Sequence, residues 1–293
     1  MNVLSLFDGI SCGQVALKKA NVPIENYYAS EIDEDAIKVA QNNYPKTIQL
    51  GDINQISFEQ FIGKIDLIIG GSPCQDLSIA KQNREGLNGA RSGLFFKFVE
   101  ALRVIKPKYF LLENNASMSN ENKNKISEIL GLQPILIDSA DFSAQIRKRL
   151  YWTNIPFVPI FNKNNLVIKD IQYFDNSRKV YSFEKYKTTV KVSSDGTLIK
   201  WDASGKGYYS QQSRARANTI KMNTLPASGT DKNNIFIGDY KYYKIHPLEA
   251  ERLQTLPDNY TSCISSKAKR ISLCGNGWTV DVIAHIFKGL PKN

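Results

Sequence analysis

The chain reads as an α/β protein, a doubly wound and mostly parallel sheet joined to a second, smaller and mainly β domain. Short apolar runs alternate with amphipathic helical stretches through its first half, the pattern of parallel strands linked by crossover helices. After about Pro156 that periodicity gives way to Lys, Asn, Ser, Tyr and Thr with short β-branched runs, and helical signals return only at Pro247. With 293 residues and 42% apolar content, there is enough material for one large core and a smaller one.

Val3 to Phe7 predicts the first strand, and Asp8-Gly9-Ile10-Ser11-Cys12-Gly13 turns into an amphipathic helix reaching Lys19. Tyr27 to Ser30 is the second strand and ends in Glu31-Ile32-Asp33, with a helix from about Asp35 to Asn42. Ile48 to Asp52 continues the alternation. Ile65 to Ile69 is apolar enough to be a strand covered on both faces. A helix near Gly93 to Lys106 then leads to a strand at Tyr109 to Glu113, and two further helices are expected at Pro247 to Thr255 and Val280 to Lys288. The boundaries drawn are 1–155, 156–245 and 246–293, the last segment returning to the first domain.

Composition narrows the function classes. No stretch approaches the roughly 18 uncharged apolar residues of a membrane span, and Met1 opens into a strand with no charged start or cleavage site, so a cytoplasmic protein is expected. Cys12, Cys74, Cys263 and Cys274 are widely spaced and only two histidines are present, which argues against a zinc site or a disulfide framework and for a reducing compartment. A net charge of +10 favours a polyanionic partner without deciding it.

The most informative stretch is Gly70-Gly71-Ser72-Pro73-Cys74-Gln75-Asp76-Leu77-Ser78. It follows a buried strand, so Cys74 is expected at the carboxyl end, where open α/β sheets place ligands. Pro73 restricts its own backbone and that of Ser72, holding the thiol in one position. Phe7-Asp8-Gly9 with Gly13 departs from the dinucleotide fingerprint G-x-G-x-x-G and weakens a dehydrogenase reading. Glu31, at the end of the next strand, is placed to accept ribose hydroxyls. Asp52 ends a third strand and suits either an adenine amino group or a helix N-cap. Gln145, Arg147 and Arg149 alternate with Ile146 and Lys148, so one strand is expected to show all three polar side chains on one face.

Taken in order, Phe-Asp-Gly, Ser-Glu-Ile-Asp, Gly-Asp, Ser-Pro-Cys-Gln, Glu-Asn-Asn, Gln-x-Arg-x-Arg, Arg-Leu-Gln-Thr-Leu-Pro-Asp and Gly-Asn-Gly-Trp-Thr-Val resemble the DNA (cytosine-5) methyltransferases over residues 3–155 and about 242–288. Within that family the chain looks closest to small phage or bacterial enzymes and to the vertebrate de novo branch. Two departures stand out: Asn115 where the family usually has valine, and Gly277-Trp278 where it often reads Ser-Val.

The resemblance implies a Rossmann-like catalytic domain, a target-recognition domain over 156–245, and S-adenosylmethionine as methyl donor. Carbon 5 of cytosine is a poor nucleophile, and a thiolate added at carbon 6 supplies the electron density it lacks. The implied nucleophile is Cys74. Glu113 is the contact to N3 and N4 and Arg149 the contact to O2, with Arg147 and Gln145 in support. Glu113 must carry or share a proton when it acts, so its burial is required.

For the cofactor the resemblance implies Phe7 against adenine, Glu31 on the ribose, Asp52 and Ile53 at the base and Asn276 near the methionine end. Asp8, Gly9, Ile10, Gly13, Ile32, Pro73 and Trp278 complete that set. The target base must leave the stack, and residues 75–93, with Ser78, Arg84 and Arg91, suit a basic lid closing on DNA. Lys200, Arg214 and Arg216 are candidate DNA contacts in the middle segment. The expected partner is double-stranded DNA, with the chain a monomer and a cognate restriction endonuclease a candidate companion. A transfer RNA methyltransferase and a catalytically silent DNA-binding relative are the alternatives.

Overall fold

The computed structural model describes residues 1–72, 94–159, 165–182, 190–192, 198–201, 207–208, 215–217, 221–225, 234–238 and 241–292. Two compact units emerge, one of Met1–Asp138, Lys148–Ile160 and Val280–Asn293, the other of Ser139–Arg147 and Phe161–Thr279. The boundaries expected at 155 and 245 therefore shift, because the second unit also takes in Ser139–Arg147 and everything from Pro247 to Thr279.

In the first unit β1 (Asn2–Leu6), β2 (Asn26–Ser30), β3 (Ile48–Gln49), β4 (Leu67–Gly71) and β5 (Tyr109–Asn115) are parallel. β6 (Ile135–Asp138), β7 (Gln145–Ile146) and β8 (Lys148–Thr153) follow along the chain, with β7 in the second unit. The seven-stranded order is β3-β2-β1-β4-β5-β8-β6, with β8 antiparallel to both neighbours. Around this sheet lie α1 (Cys12–Lys19), α2 (Glu34–Asn43), α3 (Leu94–Ile105), α4 (Asn120–Leu130) and the C-terminal helix Val280–Phe287. That last helix packs against α1, and Lys19 Nζ meets Asp281 Oδ1 at 2.7 Å.

Leu4, Leu6, Ile68, Phe95, Phe98, Leu112 and Trp152 form the centre of the core. Trp152 is fully buried and donates its indole N–H to Ser127 Oγ at 3.0 Å, which satisfies its polar end. Gly70 is required by close packing, since a Cβ there would lie 3.0 Å from Leu6 O and 3.0 Å from the Phe98 ring. With no side chain at that point, β4 runs between β1 and β5 up to its exit at Ser72.

The second unit contains α5 (Ile168–Ile171), β9 (Tyr181–Ser182), β10 (Val190–Val192), β11 (Leu198–Trp201), β12 (Gly207–Tyr208), β13 (Ala215–Ala217), β14 (Met222–Asn223), β15 (Asn234–Gly238) and β16 (Lys241–Lys244). They form sheets β10-β11-β12 and β13-β15-β16-β9 and the pair β14-β7. Two helices follow, α6 (Pro247–Leu253) and α7 (Lys267–Asn276).

Pro247 opens α6, and Glu249 reaches back to the His246 N–H at 2.7 Å in a capping box. Both Glu249 and Glu251 have zero exposure, and each is held by an arginine: Arg178 to Glu249 at 2.8 Å and Arg270 to Glu251 at 2.9 Å. Buried carboxylates persist only when paired in this way. The charge of the chain is concentrated here, because the second unit has twenty lysines and arginines against eleven acids, leaving the first unit nearly neutral.

Candidate active site

β4 and β5 bring the first predicted site residues together. Their parallel register sets Gly71 beside Glu113, and Asn114 Nδ2 donates to Ser72 Oγ at 3.1 Å. The segment entering Pro73-Cys74 is therefore tied to the strand that carries Glu113. Across the antiparallel β5–β8 ladder Glu113 pairs with Tyr151, which makes Arg149 its diagonal neighbour on the same face. Arg149 Nε meets Glu113 Oε1 at 2.9 Å, with each side chain only 12% exposed. The polar departure at Asn115 has a local explanation: its Oδ1 accepts from the Ser117 N–H at 3.0 Å and turns the chain out of β5.

Gln145, Arg147 and Arg149 do not share a strand, contrary to the alternation predicted from sequence. The run breaks at Arg147, with β7 pairing with β14 in the second unit and β8 entering the large sheet of the first. Arg147 is 5% exposed, and its guanidinium donates to Gly275 O at 3.2 Å from both terminal nitrogens and to Gly277 O at 2.9 Å. Those carbonyls terminate α7 and have no partner within the helix, and a cation there also suits the helix dipole. Gln254 completes the anchor, donating to Cys274 O at 2.8 Å and accepting from the Thr279 hydroxyl at 2.8 Å. The sequence motif Arg-Leu-Gln-Thr-Leu-Pro-Asp thus has a structural core in Gln254. Gln145 has zero exposure, and among the described residues its amide has no hydrogen-bond partner.

The glycine turn after β1 is welded to the end of β2. Phe7, Gly9 and Ser11 all take positive φ, at 60°, 59° and 61°. For Phe7 and Ser11 such backbone is costly and is characteristic of ligand-binding turns. The Asp8 N–H donates to Ser30 O at 3.0 Å, and the Gly9 N–H to Glu31 Oε2 at 2.8 Å. Glu31 Oε1 accepts from Ile32 and Asp33 at 2.8 and 2.9 Å. Of the roughly four lone-pair positions of a carboxylate, one on Oε2 is left for a hydroxyl donor. Beside it Ile32 is 73% exposed, an apolar surface for a flat ring. This combination fits an adenosine.

Other members of the predicted set sit differently. Ile53 and Ile10 are 4% and 1% exposed, so their side chains belong to the interior and only their backbones can face a ligand. Gly13 is buried within α1. Asp52 Oδ1 accepts from the Asn54 N–H at 2.9 Å, the N-cap reading of that residue. Asn276 is exposed and Trp278 half-buried, both in the second unit. Pro73, Cys74, Ser78, Arg84, Arg91 and Arg214 lie outside the described residues, as do the side chains of Lys200 on β11 and Arg216 on β13.

Asp8 was legible as a turn residue but not as a buried acid. Its Oδ1 accepts from the Tyr27 hydroxyl at 2.7 Å, and burial pushes its pKa up to about 6 against opposing hydrogen bonds from Ser5, Tyr27 and Ser11. The folded state therefore holds a proton that the unfolded chain releases near pH 3.8. Stability should fall as pH rises from about 4 to about 6 and then level off, a loss of up to about 3 kcal/mol. Asp8→Asn is expected to flatten that slope in urea unfolding across the range; an unchanged slope would count against Asp8 as its source.

The sheet order, with the turn after β1 closed by the carboxylate at the end of β2, defines a Rossmann-like α/β fold. The profile of C-5 cytosine-specific DNA methylases matches residues 1–292, and the chain belongs to that family. The family's methyl donor is S-adenosylmethionine. The orphan methyltransferase M.SPRI of Bacillus phage SPR is 34% identical over 69% of this chain, a match spanning 47% of the phage protein, so under half of that longer relative is represented here. The type II methyltransferase M.NgoPII of Neisseria gonorrhoeae is 26% identical, covering 100% of this chain and 96% of its own. Among solved structures, the S. pombe Dnmt2 methyltransferase superposes with a TM-score of 0.70 at 18% identity, covering 98% of this chain and 97% of that one.

Proposed function

We propose that the chain methylates carbon 5 of a cytosine everted from double-stranded DNA, through a reversible bond between the Cys74 sulfur and carbon 6. The observation that carries this reading is the Glu113–Arg149 pair, on a strand whose neighbour β4 leads directly to Cys74. S-adenosylmethionine supplies an electrophilic methyl group. As the Cys74 thiolate adds at carbon 6, negative charge moves toward N3 and O2 of the ring. Glu113 handles the proton at N3 while the Arg149 cation faces O2, which lowers the barrier to addition. The ring so charged is nucleophilic at carbon 5. Once carbon 5 is methylated, loss of its proton and expulsion of the sulfur restore the aromatic ring and the free thiolate.

The amide of Gln145, without a partner among the described residues, and the excess of basic residues in the second unit support a polar, anionic substrate. The site is assigned to a cytoplasmic, monomeric enzyme whose DNA affinity falls as salt rises, because phosphate contacts release counterions.

Labelled methyl incorporation into duplex DNA and into transfer RNA tests the substrate; incorporation into RNA alone would overturn the assignment. Cys74→Ser should abolish transfer and leave DNA binding in place, and 5-fluorocytosine duplexes should trap a conjugate that survives denaturation. Bisulfite sequencing of DNA from a host expressing the protein would then give the recognition sequence.

A further inference from the structure

One large apolar side chain of the basic unit is held out in solvent by an unusually constrained turn. Phe174 is 79% exposed, the most exposed of the large hydrophobic residues described. Its neighbours are fixed from several directions. The Tyr173 N–H donates to Glu249 Oε1 at 3.0 Å, and the Tyr173 ring stacks on His246 at 4.3 Å between centroids. Arg178 closes the turn, donating to Tyr173 O at 2.9 Å and to both Glu249 oxygens at 2.8 and 3.0 Å, with its guanidinium 3.7 Å over the Tyr243 ring. Between them the Asp175 carboxylate accepts from the Ser177 N–H at 2.8 Å and hydroxyl at 2.7 Å. The anchor is a carboxylate with zero exposure. A floppy surface loop would let an aromatic ring fold back onto the nearest apolar surface; this turn holds it outward, so its ordering cost is met before any partner arrives.

We propose that Phe174 is a preorganised contact to the bases of duplex DNA, set against a base step as an apolar wedge. This rests on the DNA reading above and extends it to a residue that reading does not use. The unit that presents Phe174 holds almost the whole positive excess of the chain. Lys179 is exposed a few residues further on, its ammonium 5.2 Å over the Tyr181 ring. An exposed aromatic face with a lysine a few residues away suits a base stack flanked by phosphates.

The test is binding of the full-length chain to a random-sequence duplex across a salt series. Phe174→Ala should weaken binding by about tenfold or more, with the slope of log affinity against log salt unchanged because no charge is lost. Phe174→Trp should retain affinity. Lys179→Ala, by contrast, should reduce the slope by about one. The thermal midpoint of Phe174→Ala should equal that of the parent. A lowered midpoint would overturn the proposal by showing that the ring packs within the chain. Unchanged DNA affinity would also overturn it, including the case in which Phe174→Ala only dissociates a dimer. If the unsubstituted chain binds no duplex at all, the DNA reading fails first and this inference with it.

Discussion

Glu113→Gln is expected to lower single-turnover methyl transfer by about 100-fold to 10,000-fold while the protein stays folded. Glutamine keeps the shape of the side chain and an oxygen to accept from Arg149, so the substitution removes the charge and the exchangeable proton with little change in packing. Glu113→Ala should be worse in a second respect. It would leave the Arg149 guanidinium, now 2.9 Å from its partner and 12% exposed, without a counter-charge. Arg149→Lys should also lower the rate, because an ammonium cannot reproduce the Nε contact to Glu113 together with the fixed geometry of a guanidinium. A Gln variant within a few-fold of the parent would remove Glu113 from the chemistry.

Arg147→Met should act on stability more than on the base. The arginine supplies the donors for Gly275 O and Gly277 O. Leaving buried carbonyls unsatisfied costs roughly 1–3 kcal/mol each, so a loss of about 2–6 kcal/mol is expected in urea unfolding. Gln254→Leu should fall in the same direction, since Gln254 serves Cys274 O and Thr279 at the same helix end. Unchanged stability together with lost activity would return Arg147 to the supporting role at the base that the family resemblance implies.

Much of the first unit was legible because its elements follow local rules. The run from Ile65 to Ile69 marked a central strand, and β4 lies there, displaced by two residues to Leu67–Gly71. Three helices were missed, the four-residue α5 and the longer α4 and α7. In α4 only Ile126 and Ser127 are buried, and its Asn- and Lys-rich surface hides the period. The usable signals lay at its ends, where Ser119 caps the Asn122 N–H and Gly131 takes φ 70°. In α7 the basic residues at the start oppose the helix dipole and Gly275 near the end lowers the propensity, while its last carbonyls accept from Arg147, a donor far away in sequence.

By itself, the sequence determined the class of sheet, the place of Glu31 just after β2 and of Glu113 on β5, and the motif order that identifies the family. Each is written in neighbouring residues, through period, turn chemistry or spacing. Tertiary structure alone decided that Gln145 and Arg149 belong to different sheets, that Arg147 terminates α7, that Ile53 faces the core and that a buried Glu249 holds Phe174 outward. Those outcomes depend on partners up to 130 residues away. An alternating pattern records which side chains share a face, but not which strand comes to lie beside them.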